Sequence, residues 1–436
     1  MNRIIRNIRA VDPASGFDGI ADIVIRDGVI AEVCPAGGGA EADAQDIDGR
    51  GLTAFPGLID VHVHFRDPGL TYKEDILTGA AAAKAGGFTT VVAMANTKPP
   101  VDTVETLRGI LEKGKATGIH VLSAANVTRG MKGQELTDME ALAQAGAAGF
   151  TDDGIPIKNG ALLHEALLRA GRLGLPVSLH EEDPAFIADN GVNRGHVSRV
   201  LGIGGSPAIA EYSMVARDIA IAADTGCDLD IQHVSSAVTV DLIRRAKAAG
   251  IRVWAEVTPH HFTLTEDAVL SYGTLAKMNP PLRTAEDREA LIEGLRDGTI
   301  DMIATDHAPH SAEEKQRALT SAPSGIIGLE TALPLAVTEL AGKGRLTYLE
   351  LADRMSLAPA RLYRLPGGRI QPGAPADLVI FDDREEFSVE GFRSKASNSP
   401  FLGWKLKGRV KYTICGGEIV FSDSRESEDS DGKDST

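Results

Sequence analysis

Short apolar runs recur along the middle of the chain, at 53–62, 89–96, 119–125, 148–152, 176–181, 229–234, 252–258 and 301–306. Between most of them lie Ala/Leu-rich amphipathic stretches: 75–86, 104–116, 138–146, 160–173, 208–225, 237–249 and 285–297. The runs have strand length, and the stretches carry apolar residues at helical spacing. Strand–helix alternation implies parallel strands joined by helical crossovers. Eight such units predict an α/β fold of the (β/α)8, TIM-like barrel type, whose active site forms at the carboxyl ends of the strands. An open doubly wound sheet also alternates, but no GxGxxG follows an early strand.

The two ends of the chain have a different pattern. Ile23-Val24-Ile25-Arg26-Asp27-Gly28-Val29-Ile30, Ala376-Asp377-Leu378-Val379-Ile380-Phe381 and Val410-Lys411-Tyr412-Thr413-Ile414 are short strands with Gly and Asp-Gly turns, read as antiparallel. The expected organisation pairs residues 1–53 and 366–421 in one small β-sandwich domain beside a barrel spanning 54–365. A Ser/Asp/Glu tail, 422–436, is expected to be disordered.

Composition narrows the function. The 436-residue chain has a formal net charge of −16, which disfavours nucleic acid as a partner. Aromatics make up 5% of residues, which suits tight helix-on-sheet packing. Its three cysteines, Cys34, Cys227 and Cys415, are far apart and form no CxxC pair, so they read as reduced buried thiols. No run reaches the ~18 apolar residues of a membrane helix, and MNRIIRNIRAVDP has no signal-peptide core. The expected location is the cytoplasm.

The chemistry concentrates at the predicted strand ends. His62 and His64 in Asp60-Val-His-Val-His-Phe-Arg66 lie on one side of a strand, because side chains alternate with period two. Thr151-Asp152-Asp153-Gly154 ends the fourth run, His180 the fifth, His233 the sixth and Asp306 the eighth. Taken singly, each has a structural explanation: a core histidine, an Asp-Gly turn or a helix cap. Their joint arrival at five strand ends points to a metal centre. Imidazole and carboxylate ligands suit zinc with a position kept for water, and two ions would use all six side chains. Asp306 is the candidate proton shuttle.

His62-Val-His64-Phe-Arg66-Asp-Pro-Gly69, with Lys73-Glu74-Asp75 behind it, resembles the amidohydrolase superfamily and, within it, the class I dihydroorotases. The resemblance continues through Met94-Ala-Asn96-Thr97, Phe150-Thr-Asp-Asp153-Gly154, His180-Glu181, Gln232-His233-Val-Ser235, Glu256-Val-Thr-Pro-His-His261, Lys277-Met-Asn279-Pro-Pro-Leu-Arg283 and Ala304-Thr-Asp306-His-Ala-Pro-His310. It covers nearly the whole chain apart from the tail.

The resemblance implies two Zn2+ held by His62, His64, His180 and His233, with Asp153 bridging and Asp306 as ligand and general base. Whether Asp152 or Asp153 is the bridge stays open, spacing to His180 favouring Asp153. Many relatives, hydantoinases included, use a carboxylated lysine at the end of the fourth strand as the bridge, but here that strand end carries Phe150-Thr151 and no lysine until Lys158. The implied reaction is the reversible hydrolysis of dihydroorotate to N-carbamoyl-L-aspartate in pyrimidine synthesis. Substrate contacts are implied for His64, Arg66, Asn96, Asn279, His310, Ser324 and Gly325, with Ser324 where relatives carry an aromatic. Arg66 fits a carboxylate on chemistry alone, because guanidinium and carboxylate pair through two hydrogen bonds. Residues 311–325 are expected to be a mobile loop over the site, and His260 and His261 to lie on the seventh strand. A homodimer and an aspartate carbamoyltransferase partner are further expectations. The competing readings are an allantoinase or hydantoinase, and a non-catalytic partner of aspartate carbamoyltransferase.

Overall fold

The computed structural model describes residues 2–40 and 44–423, and the structure is mixed α/β. Most of the tail expected to be disordered lies outside the described residues; Ser422 ends a strand and the Asp423 N–H bonds to Lys411 O. The chain opens with five strands: β1 (Arg3–Asp12), β2 (Phe17–Arg26), β3 (Val29–Pro35), β4 (Gln45–Asp48) and β5 (Thr53–Pro56). Seven follow, β6 (Leu58–Val63), β7 (Phe88–Ala93), β8 (His120–Ser123), β9 (Val177–Leu179), β10 (Leu229–Ile231), β11 (Val253–Val257) and β12 (Met302–Ile303). The last three are β13 (Leu378–Ser388), β14 (Lys405–Cys415) and β15 (Glu418–Ser422).

Both chain ends contribute to one sheet, ordered β15-β14-β13-β5-β1-β2-β3, with β4 also on β1. Not all of it is antiparallel, as the end segments suggested. β4 and β5 run parallel to β1, because after the β2–β3 hairpin the chain returns along the free edge of β1. One face of this sheet packs a core of its own around Ile5, Ile8, Ile23, Ile380 and Ile414, while Phe55, Val379 and Phe381 join the main core.

The apolar run 53–62 is two strands, not one. Thr53–Pro56 pairs with β13, and Leu58–Val63 pairs with β7. Gly57 makes the break: a Cβ there would lie 2.2 Å from Thr89 Oγ1, so only glycine lets the chain pass this close to β7.

β6–β7–β8 and β9–β10–β11–β12 are parallel ladders. The fourth predicted strand, 148–152, is reduced to Phe150, which bridges Ala125 on one side and Val177 on the other. Backbone bonds Thr151 N–H to Ala125 O (2.9 Å) and Ser178 N–H to Phe150 O (2.9 Å) carry the pairing across. At the far end His64 N–H donates to His307 O at 2.9 Å, so the pairing returns to β6.

The seven amphipathic stretches are helices, Ile76–Ala85, Val104–Gly114, Met139–Gln144, Gly160–Leu173, Ile209–Thr225, Ala237–Ala248 and Ala285–Asp297. Their ends follow capping chemistry. Asp75 accepts from Leu77 and Thr78 N–H, Asn159 from Ala161 and Leu162 N–H, and Gly174 closes its helix in the left-handed region at φ 71°. No helix among the described residues is long and apolar enough to cross a membrane.

Phe381 joins the end sheet to the main core. It is fully buried, and its ring meets Phe55 edge-on at 4.9 Å between centroids. Replacing a buried phenylalanine with alanine costs about 3–5 kcal/mol. Phe381→Ala is therefore expected to lower stability by about that amount in equilibrium denaturation, with a matching fall in Tm.

Candidate active site at the carboxyl ends of the parallel strands

Every predicted metal-ligating side chain sits at or just past the carboxyl end of a parallel segment. His62 is in β6 and His64 follows it; His180 follows β9, His233 follows β10, Asp306 follows β12, and Asp153 lies three residues past the Phe150 bridge. All six are buried. Arg66, His233 and Asp306 hold φ values of 59°, 35° and 47°. A non-glycine residue in this region costs on the order of 1–3 kcal/mol and persists where the surroundings over-determine it.

Asp153 is the meeting point. His62, His64 and Asp153 offer ligand atoms that all lie within 4.8 Å of one another, and so do Asp153, His180 and His233. Asp153 Oδ1 is 3.6 Å from His62 Nε2 and 3.9 Å from His180 Nδ1, while Oδ2 is 3.5 Å from His64 Nε2. Asp306 Oδ1 lies 3.0 Å from His64 Nε2 and 3.6 Å from His62 Nε2. His180 Nδ1 and His233 Nε2 face each other at 2.9 Å.

The donor set fits divalent cations on an observation of its own. His62 donates from Nδ1 to Glu256 Oε2 at 2.9 Å, which leaves the Nε2 lone pair pointing into the cluster. That Nε2 is buried and has no hydrogen-bond partner. An unpartnered buried nitrogen is costly unless something accepts its lone pair. Imidazoles with carboxylates are ligands of zinc-class ions. Electrostatics agree with this crowding. Burial, with His180 and His62 alongside, keeps His233 well below the ordinary histidine range.

Asp152 turns away. Its carboxylate accepts from Val127 N–H (2.9 Å), Thr128 N–H (3.1 Å) and the Thr128 hydroxyl, so it braces the loop after β8. The substrate candidates divide in the same way. A cavity of about 120 Å³ is lined by His64, Arg66, Asn96, Asp153, Gly154, His180, His233, Asn279, Asp306, Ala308, Ser324 and Gly325. Asn96 bonds to His64 Nδ1 (3.0 Å) and Asp153 Oδ2 (2.9 Å). Asn279 has Nδ2 3.4 Å from His180 Nε2 and a buried, unpartnered Oδ1. His310 stands outside this lining, held by Ser324 O at 2.9 Å and Lys73 Nζ at 3.2 Å. Burial, with Arg66 and the nearby lysines, pushes His310 down to about 2. Ser324 Oγ donates to Asn190 Oδ1, and the Gly325 N–H is spent on Lys277 O.

Lysine side chains bond to backbone carbonyls of the loop 311–325. Lys277 Nζ donates to Leu319 O and Ala322 O, each at 2.7 Å, and Lys315 Nζ to Pro323 O at 3.0 Å. His260 and His261 lie not on a strand but in the helical turn Pro259–Thr263, because Thr258 caps that turn and Pro259 starts it. Sequence reasoning missed Glu256 beneath His62 and Glu182, 3.3 Å from His180 Nε2. A carboxylate inside the apolar run 252–258 was the available signal for Glu256.

The protein-family model described as the Amidohydrolase family matches residues 53–420. A dihydroorotase of Clostridioides difficile (strain 630) is 53% identical over 421 residues, covering 96% of this chain and 99% of that protein. A dihydroorotase of Lactococcus lactis subsp. lactis (strain IL1403) is 49% identical over 422 residues, covering 97% and 99%. Among solved structures, an L-hydantoinase (dihydropyrimidinase) from Arthrobacter aurescens superposes with a TM-score of 0.85 at 29% identity, covering 97% of this chain and 96% of its own. With a family match running from β5 to β15 and relatives of about half-identical sequence along their full length, this chain belongs to the amidohydrolase family.

Proposed function

We propose that this protein is a zinc-dependent dihydroorotase, which opens dihydroorotate to N-carbamoyl-L-aspartate and closes it again in pyrimidine synthesis. The observation that carries the reading is Asp153 common to two ligand groups, with no lysine at the end of the fourth strand, where a carboxylated lysine would mark the hydantoinase type. The full-length likeness to the dihydroorotases of C. difficile and L. lactis supports the same ring. The ladders β6–β12, with Phe150 and His307 as joints, are read as the (β/α)8 barrel, spanning 54–365 beside a β domain of 1–53 and 366–421.

Two zinc ions held by His62, His64, Asp153, His180, His233 and Asp306 would polarise the ring carbonyl and supply an acidified water. The chain's own groups do the rest. Arg66, half-buried and lining the cavity, pairs with the substrate carboxylate. Asn279 Oδ1, without a partner, accepts a ring N–H. Asn96 holds His64 and Asp153 in place. Asp306 lines the cavity 3.0 Å from His64 Nε2, where it takes the proton released by the attacking water and returns it to the ring nitrogen as the C–N bond breaks. Glu256 fixes the tautomer of His62. The protein is expected in the cytoplasm as a homodimer, with aspartate carbamoyltransferase as a candidate partner.

Zinc-loaded protein should open dihydroorotate and close N-carbamoyl-aspartate, with far weaker action on hydantoin or allantoin, in side-by-side assays of the three rings. Preference for hydantoin would favour the hydantoinase reading, and an inert protein without bound metal would favour the non-catalytic one. Asp306→Asn should lower kcat by about 10²–10⁴-fold, the range of a positioned general acid–base group. Glu256→Ala should weaken zinc by about 10–100-fold, the usual loss when the partner of a ligating histidine is removed, as read by competition with a chromophoric chelator.

A further inference from the structure

We propose a second cation site at the amino ends of the parallel strands, formed by His120 Nε2, an Asp377 carboxylate oxygen and Cys415 Sγ, and suited to borderline-soft divalent ions of the zinc class. It is independent of the centre around Asp153. His120 opens β8, so it lies at the opposite strand ends from the proposed active site. Asp377 immediately precedes β13 and Cys415 closes β14. The site thus joins the parallel ladder to the sheet built from the chain ends.

The geometry suits a tetrahedral ion. The three ligand atoms lie within 4.8 Å of one another. His120 Nε2 and Asp377 Oδ2 are 3.2 Å apart. Two ligands each about 2.0 Å from a tetrahedral zinc would be separated by about 3.3 Å. Asp377 is pre-oriented, because its Oδ1 accepts the Gly416 N–H at 2.7 Å and leaves Oδ2 turned to His120. The thiol is loosely held, its contact with Thr89 O being 3.8 Å.

Asp377 and Cys415 are each 7% exposed, whereas half of the His120 side chain faces solvent. A cavity of about 490 Å³ reaches His120, Val121, Cys415 and Gly416. The cation on its rim, Lys115, is paired with Glu112 at 2.6 Å.

In the metal-free protein, burial and the neighbouring Asp377 push the Cys415 thiol up, so the sulfur carries its proton. A cation entering the site forms a sulfur–metal bond as the S–H bond breaks, and the proton leaves to water with no change in oxidation state. The donor set of one thiolate, one imidazole and one carboxylate excludes calcium and magnesium, which take oxygen ligands.

Cobalt(II) tests this directly, because only a thiolate-bound ion gives a near-ultraviolet sulfur-to-cobalt charge-transfer band. The full-length protein, stripped by chelator and reloaded with Co2+, is expected to show that band and to bind one more ion per chain than Cys415→Ser. Both Cys415→Ser and His120→Ala should lose the band and keep ring-opening activity, while Cys34→Ser keeps both. Since half of the His120 side chain faces solvent, its replacement disturbs less buried packing than one at Cys415 and guards against a folding artefact there. No band in the unaltered protein, or a band that survives either substitution, would overturn the site.

Discussion

One buried carboxylate organises this structure. Asp153 lies within 4.0 Å of ring nitrogens from His62, His64, His180 and His233, which reach it from three different strand ends. Four imidazoles crowded around one buried carboxylate compete for hydrogen-bond partners, and a nitrogen left without one is costly. The unpartnered Nε2 of His62 is the visible consequence, while His180 Nδ1 and His233 Nε2 bond to each other. Divalent cations held there would satisfy that Nε2, beside a cavity that Asp306 and Arg66 also line.

The fold exists to hold that convergence. Parallel pairing delivers each ligand from a strand end, and hydrogen bonds beneath the cluster fix its rings. Glu256 holds His62, Asn96 holds His64, and Glu182 lies beside His180. Three left-handed residues, Arg66, His233 and Asp306, occur where the chain leaves a strand to present a functional group. Strain of this kind is tolerated because packing on both sides leaves the backbone no cheaper path.

Much of this was legible in the sequence because period and chemistry coincide. Alternation of apolar runs with amphipathic stretches located seven helices, and Gly160–Leu173 and Ala285–Asp297 match their predicted ranges residue for residue. His-x-His on a strand and single polar residues at strand ends named the cluster. Other features needed three dimensions. The split of 53–62 depends on how closely Gly57 passes Thr89. The parallel pairing of β4 and β5 follows from the path of the connection, not from composition. Asp152 and Asp153 are chemically alike, and only the direction of each side chain separates the brace from the cluster. The loop 311–325 reads as polar and turn-rich, while the lysines that pin it lie partly outside the loop, at Lys277.

Anomalous scattering from crystals of the zinc-loaded protein addresses the role of Asp153 most directly. Two zinc peaks about 3.5–4 Å apart, as in two-metal hydrolases, are expected, with one Asp153 oxygen on each and the imidazoles divided as His62/His64 and His180/His233. Ions that ignore Asp153, or a lysine-borne group between them, would contradict the reading.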